Sequence, residues 1–207
     1  MTDAPATQLY LVTPPFLTLL PFGDLLAGLL DAVEVACVRL ALATSDEDEL
    51  MRAADTLRAI CHARDVPLVM AEHYRLAARL GLDGVHLRDG SRRVRAAREA
   101  LGANAIVGAF AGTSRHDGMT AAEIGADYVS FGPVAAGSLG DGTEAPLELF
   151  QWWSEMIETP VVAEGGLTLA RTEEIARAAD FLALGDELWS APEGPVAALH
   201  AFAARLK

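Results

Sequence analysis

The chain has 207 residues, enough for one domain with its own core, and 52% hydrophobic against 22% charged residues excludes a disordered or fibrous class. A formal net charge of −13 repels nucleic-acid backbones and anionic lipid headgroups, so neither nucleic acid nor membrane is expected as a partner. The apolar runs 16–20 and 33–43 are too short or too interrupted to cross a bilayer, and residues 1–7 lack the features of a signal peptide, which predicts a cytoplasmic location.

Short β-rich runs alternate with longer amphipathic ones along the whole chain. A strand is expected at 9–12 and a helix at 23–31. A second strand at 33–40 precedes the clearest helix, 46–64, where Leu50, Ala53, Ala54, Leu57, Ile60 and Cys61 recur at helical spacing. Thr44 and Ser45, with Glu47 and Asp48 three residues on, offer N-caps for it. Then come strand 67–70 with helix 73–80, strand 84–87 with helix 91–101, and strand 106–110 with helix 118–124. Strand 128–131 with helix 147–157, strand 161–163 with helix 170–177, and strand 181–184 with helix 196–206 complete the series. Cys37 and Cys61 form neither a metal-ligand spacing nor a disulfide framework and read as buried apolar side chains.

The junctions Gly81-Leu82-Asp83-Gly84, Gly125-Ala126-Asp127-Tyr128 and Ala179-Asp180-Phe181 repeat one solution. A glycine just past a helix takes the left-handed C′ conformation and the chain turns at once into a buried strand. Eight strand–helix units with short returns imply right-handed crossovers and a parallel sheet in a single domain spanning 1–207. Periodicity alone leaves two closures open, a (β/α)₈ barrel and a doubly wound open sheet.

In a parallel barrel the ligand meets the loops that follow the strands. Those positions hold Arg39 on the second strand, Glu72 after the third, and His86 and Asp89 at the end of the fourth. After the fifth strand comes Ser114-Arg115-His116-Asp117, a dense polar group of mixed sign that reads either as a ligand cluster or as a helix N-terminus capped by Ser114 or Asp117. Gly132 ends the sixth unit and leads into 135–143, a glycine-rich stretch that reads as a lid and holds no basic residue. Glu164-Gly165-Gly166 follows the seventh strand and Gly185-Asp186-Glu187 the eighth; the glycines can present backbone N–H groups to an anion. Arg92, Arg93, Arg95 and Arg98 read as a solvated helix face. The set Phe150, Trp152, Trp153 and Met156 carries more aromatic area than one helix face normally hides and predicts a homodimer.

Several segments in order, Leu9-Tyr10-Leu11-Val12-Thr13, Val66-Pro67-Leu68-Val69, Gly84-Val85-His86-Leu87, the run from Gly125 to Val134, and Thr159-Pro160-Val161-Val162-Ala163 with Gly165-Gly166, give the chain its likeness to a known family. It resembles thiamine-phosphate synthase and its relative, the thiazole tautomerase, from Leu9 to Leu184. The resemblance implies a single-domain (β/α)₈ TIM barrel, a transferase that joins hydroxymethylpyrimidine diphosphate to thiazole phosphate with release of diphosphate. It implies small phosphorylated heterocycles as ligands and Mg²⁺ as cofactor. Transferred residue by residue, it puts Arg39 and Glu72 in catalysis and Glu72 and Asp89 on the metal, while His116, from the polar group after the fifth strand, is a further catalytic candidate by its position. His86, Arg115, Gly132, Gly165, Gly166 and Gly185, which end or follow strands, are the candidates for substrate and phosphate. The chain also departs from the family pattern: a Gln-x-Arg-x-Lys on the second strand reads Cys37-Val38-Arg39-Leu40-Ala41, an Asn-Asp-Arg reads Ala71-Glu72-His73, and the mobile loop lacks its lysine. Those departures keep two alternatives in play, a non-catalytic binder of thiamine precursors or thiamine phosphate, and a barrel of changed chemistry such as a tautomerase.

Overall fold

The computed structural model describes residues 6–136 and 139–206. Eight parallel strands close into a barrel in sequential order: β1 (Gln8–Val12), β2 (Cys37–Leu40), β3 (Leu68–Ala71), β4 (Gly84–Leu87), β5 (Ile106–Phe110), β6 (Tyr128–Phe131), β7 (Val161–Glu164) and β8 (Phe181–Leu184). Closure is made by β1 against β8, with Gln8 opposite Phe181 and Leu11 opposite Leu184. The open-sheet alternative is thereby removed. Four strands have the expected bounds. The second does not: expected from Val33, it begins at Cys37, because α1 (Leu19–Ala32) runs to Ala32 and Val33 closes it by donating its N–H to Leu29 O. A β-branched alternation at Val33 and Val35 had imitated a strand. Pro21, in the first turn of α1, needs no N–H partner there and does not break the helix.

The remaining helices are α2 (Glu47–His62), α3 (Tyr74–Leu80), α4 (Val94–Leu101), α5 (Arg115–Ile124), α6 (Leu147–Met156), α7 (Leu169–Ala176), α8 (Asp186–Trp189) and α9 (Pro195–Ala204). The short α8 has no counterpart in the sequence reading. Asp46, rather than Thr44 or Ser45, caps α2, its Oδ1 accepting the N–H groups of Asp48 and Glu49. Among the described residues no helix is long and apolar enough to cross a membrane.

Two apolar layers follow from the period-2 alternation of the strands. Outward residues such as Val38, Leu40, Val85, Leu87 and Val129 pack under the helices, while Tyr10, Cys37, Val69, Tyr128, Val162 and Ala183 fill the barrel interior. Both cysteines are buried, as expected, and burial pushes each thiol up to about 12.

The repeated Gly-x-Asp junctions do more than turn the chain. Gly81 and Gly125 take the left-handed conformation at φ +63° and +111°. The aspartates then reach sideways: Asp83 accepts the N–H of Leu68 on β3 (2.7 Å), Asp127 that of Val107 on β5 (2.6 Å) and Asp180 that of Val161 on β7 (2.7 Å). Each thus pairs a backbone donor in the first two residues of a neighbouring strand.

Candidate active site

One cleft of about 600 Å³ opens at the C-terminal mouth of the barrel. Arg39, Glu72, His86, Gly165, Gly166 and Gly185 all line it, joined by Arg88, Glu164 and Glu187. Loop residues Ala136 and Leu139 also line the cleft, and Gly137 and Ser138 between them fall outside the described residues.

The floor is a polar network inside an apolar barrel. Arg39 and Glu164, 7% and 2% exposed, form an ion pair of 2.5 Å between Nη2 and Oε2. Burial opposes the charge on Arg39, and the Glu164 carboxylate, with lesser help from Tyr10 and Tyr128, more than restores it and raises its pKa above the usual arginine value. Ser130 Oγ donates to the other carboxylate oxygen (3.1 Å), and the Arg39 guanidinium lies 5.5 Å from the Tyr10 ring centre. Beside this pair runs a second chain: Tyr10 and Tyr128 share a hydroxyl contact of 2.8 Å, and Tyr128 Oη meets His86 Nδ1 at 2.9 Å. His86 Nε2 has no hydrogen-bond partner among the described residues and sits 3.9 Å from Glu164 Oε1. Burial first, then the positive charges of Arg39 and Arg88, push the His86 pKa well below the usual histidine range, so the ring is neutral. The cleft therefore presents a neutral imidazole nitrogen and a neutralised cation at its base.

The expected metal site takes another form. Glu72 carries φ +66°, a left-handed backbone that a side-chain-bearing residue adopts at a cost, and its Oε1 accepts the Arg88 N–H at 2.5 Å. Its Oε2 pairs with Arg93 Nη2, while Arg93 Nε pairs with Asp89 Oδ2 at 2.6 Å. One guanidinium thus bridges the two carboxylates that were expected to hold Mg²⁺. Asp89 does not line the cleft, and no group of three or more His, Cys, Asp or Glu side chains among the described residues could hold a metal ion. A preformed divalent site needs six or more oxygen ligands or waters about the ion, and the residues here do not fit one. Arg93, read from sequence as part of a solvated face, is half-buried in this cluster; Arg98 from the same stretch pairs with Asp127.

Three further expectations are corrected. Arg115 and His116 are exposed on the first turn of α5 and do not line the cleft. Arg115 lies 4.4 Å over the Trp152 ring, and Ser114 Oγ caps the helix through the Asp117 N–H, so the helix-terminus reading of that cluster is the observed one. Gly132 is not among the residues that line the cleft: a Cβ there would stand 2.1 Å from the Glu164 carbonyl oxygen, so this glycine lets the ends of β6 and β7 approach. Gly132→Ala is expected to cost about 1–3 kcal/mol of stability through overpacking, read as a lowered urea midpoint at unchanged m-value. The aromatic surface proposed for a homodimer is also absent: Phe150 and Trp153 are fully buried, packed around Phe131, and Trp152 is half-buried, leaving Met156 as the exposed member.

Tyr10, Ser130, Tyr128, Glu187 and Arg93 were not singled out as site residues. Tyr10, Tyr128 and Ser130 share the inward parity of their strands with Arg39 and Glu164, the one signal in the sequence that could have found them.

Residues 9–188 match the family described as TMP-TENI, thiamine monophosphate synthase. A thiamine-phosphate synthase of Rhodospirillum centenum is 43% identical over 204 residues, covering 98% of this chain and 97% of that one. One of Erythrobacter litoralis is 40% identical over 211 residues, 99% and 97% of the two chains. The solved thiamine phosphate pyrophosphorylase of Pyrococcus furiosus superposes with a TM-score of 0.83 at 23% identity over 96% of this chain and 95% of its own, which shows the shared barrel. With the closed barrel, the cleft at its C-terminal mouth and near full-length identity of this order together, the chain belongs to the thiamine monophosphate synthase family.

Proposed function

We propose that this chain is a thiamine-phosphate synthase that joins hydroxymethylpyrimidine diphosphate to thiazole phosphate. The observation that carries the reading is identity of 38–43% to three synthases over nearly their whole length. In the reaction the pyrimidine methylene–oxygen bond breaks, diphosphate leaves with the electron pair, and the thiazole nitrogen forms the new carbon–nitrogen bond. Such a step asks the protein for positioning, for exclusion of water and for stabilisation of the departing charge.

The residues at hand divide that work. Ala136 and Leu139 supply apolar lining to the cleft, and neutral His86 offers Nε2 to a ring substituent without adding charge beside a developing cation. Arg39 is held by Glu164, whereas Arg88 is exposed at the mouth with no ion-pair partner among the described residues, and it is assigned the leaving diphosphate. Glu72 positions Arg88 through its backbone N–H. Magnesium enters this reading as a companion of the diphosphate, which brings oxygen ligands of its own, and no step here depends on it. A cytoplasmic location belongs to the same proposal, and sedimentation of the purified chain tests the homodimer.

The test is product formation from the two precursors, measured for the wild type and Arg88→Ala. Arg88→Ala is expected to lower kcat/KM at least about tenfold, equivalent to roughly 1.4 kcal/mol of transition-state stabilisation. Turnover insensitive to Arg88→Ala would reject its assignment. No turnover with retained binding of both precursors would favour the non-catalytic binder, a reading that the neutralised Arg39 supports.

A further inference from the structure

Loops after the seventh and eighth strands of barrels like this one often bind phosphate through backbone N–H groups. Here three such groups converge on an acceptor supplied by the chain itself. Glu187 Oε1 accepts the N–H of Gly166 at 2.5 Å and of Leu167 at 3.1 Å, and Oε2 accepts that of Gly185 at 2.9 Å. Gly166 and Gly185 line the cleft beside Glu187, so the carboxylate lies at the ligand's edge and not behind the wall. A carboxylate that accepts several backbone N–H bonds is strongly held, and it offers these donors the same charged oxygens that a phosphate monoester would. Asp186 and Glu187 both line the cleft, and among the described residues the arginines that line it are Arg39, already paired with Glu164, and Arg88. A phosphate arriving at these N–H groups must first displace Glu187 and then remain close to its charge.

We propose that Glu187 is a specificity-determining residue that stands in for the ligand's phosphate, so that the cleft binds the thiazole partner about equally well with or without its phosphate. The proposal rests on the synthase reading for the identity of that partner. The occupation of the three N–H groups does not.

Calorimetric titration of the full chain with the hydroxyethyl thiazole alcohol, its phosphate ester and inorganic phosphate tests it, for wild type, Glu187→Ala, Glu187→Gln and Asp186→Asn. In the wild type the alcohol and the ester are expected to bind within about threefold of each other, and inorganic phosphate weakly. Glu187→Ala should raise the preference for the ester at least about tenfold by releasing three charge-assisted donors. Glu187→Gln, which removes the charge but keeps one acceptor oxygen, should give a smaller rise and serves if the alanine variant does not fold. Asp186→Asn removes a charge at the same mouth without touching the three donors, and should raise the ratio by less than Glu187→Ala does. Amide resonances of Gly166, Leu167 and Gly185 should move with inorganic phosphate in the Glu187 variants and not in the wild type. A wild type that prefers the ester more than about tenfold, or folded Glu187 variants with an unchanged ratio and unmoved amides, overturns the proposal. Binding of neither thiazole by any variant, with phosphate still gained on removing Glu187, overturns the synthase reading and leaves the occupied N–H groups established.

Discussion

Glu164→Gln should lower the unfolding free energy by about 3–5 kcal/mol, because it strips the charge from one side of a buried ion pair and leaves Arg39 uncompensated. Both side chains are under 10% exposed, so water can supply little of the lost stabilisation. The variant also disturbs the Ser130 hydroxyl, which donates to the same carboxylate. Replacing both partners by apolar residues of similar size, Arg39→Met with Glu164→Leu, should recover most of the loss, since desolvation of the two charges opposes their attraction. Urea denaturation of Arg39→Met, Glu164→Leu and the double variant measures the coupling. Additive losses would mean that the pair contributes nothing beyond packing.

Stability is expected to fall as the pH drops below about 6.5, the value of an unperturbed histidine. His86 is held neutral in the barrel, chiefly by burial and then by Arg39 and Arg88, so its folded pKa lies well below that of the unfolded chain. The unfolded state therefore binds the extra proton, and this contribution to stability is complete above the unfolded pKa and lost as pH falls towards the folded one. While His86 stays neutral the slope approaches about 1.4 kcal/mol per pH unit. Tyr128 and Glu164 face the ring from β6 and β7, Tyr10 on β1 and Arg39 on β2 lie next to them as their partners, and Arg88 follows His86 on the chain. His86→Gln, which can keep a hydrogen bond to Tyr128, should flatten the profile between pH 7 and 5.5 in urea titrations at stepped pH. An unchanged profile would show that other groups govern the acid limb.

Strands such as 84–87 and 128–131 are short apolar runs between helical stretches and turn residues, and that local pattern carries their bounds. Arg39, Glu72 and His86 could be placed at one mouth because strand parity and the position after a strand are local facts. Arg93 could not be read as the partner of Glu72, nor Glu187 as the acceptor of Gly166 and Leu167, because these partners lie 20 or 21 residues away. Aspartates 83, 127 and 180 look like turn residues until the neighbouring strand is alongside.

By itself the sequence determined the eight-unit alternation, its parallel sense and the loops where a ligand meets the chain, because period, capping and turn chemistry act within a few residues. The tertiary structure decided closure of β1 on β8, the pairing of Arg39 with Glu164, the burial of Phe150 and Trp153, and which expected ligand groups are already satisfied by the chain's own charges. Those depend on contacts between distant segments, whose energies are set by desolvation and by geometry that no local pattern encodes.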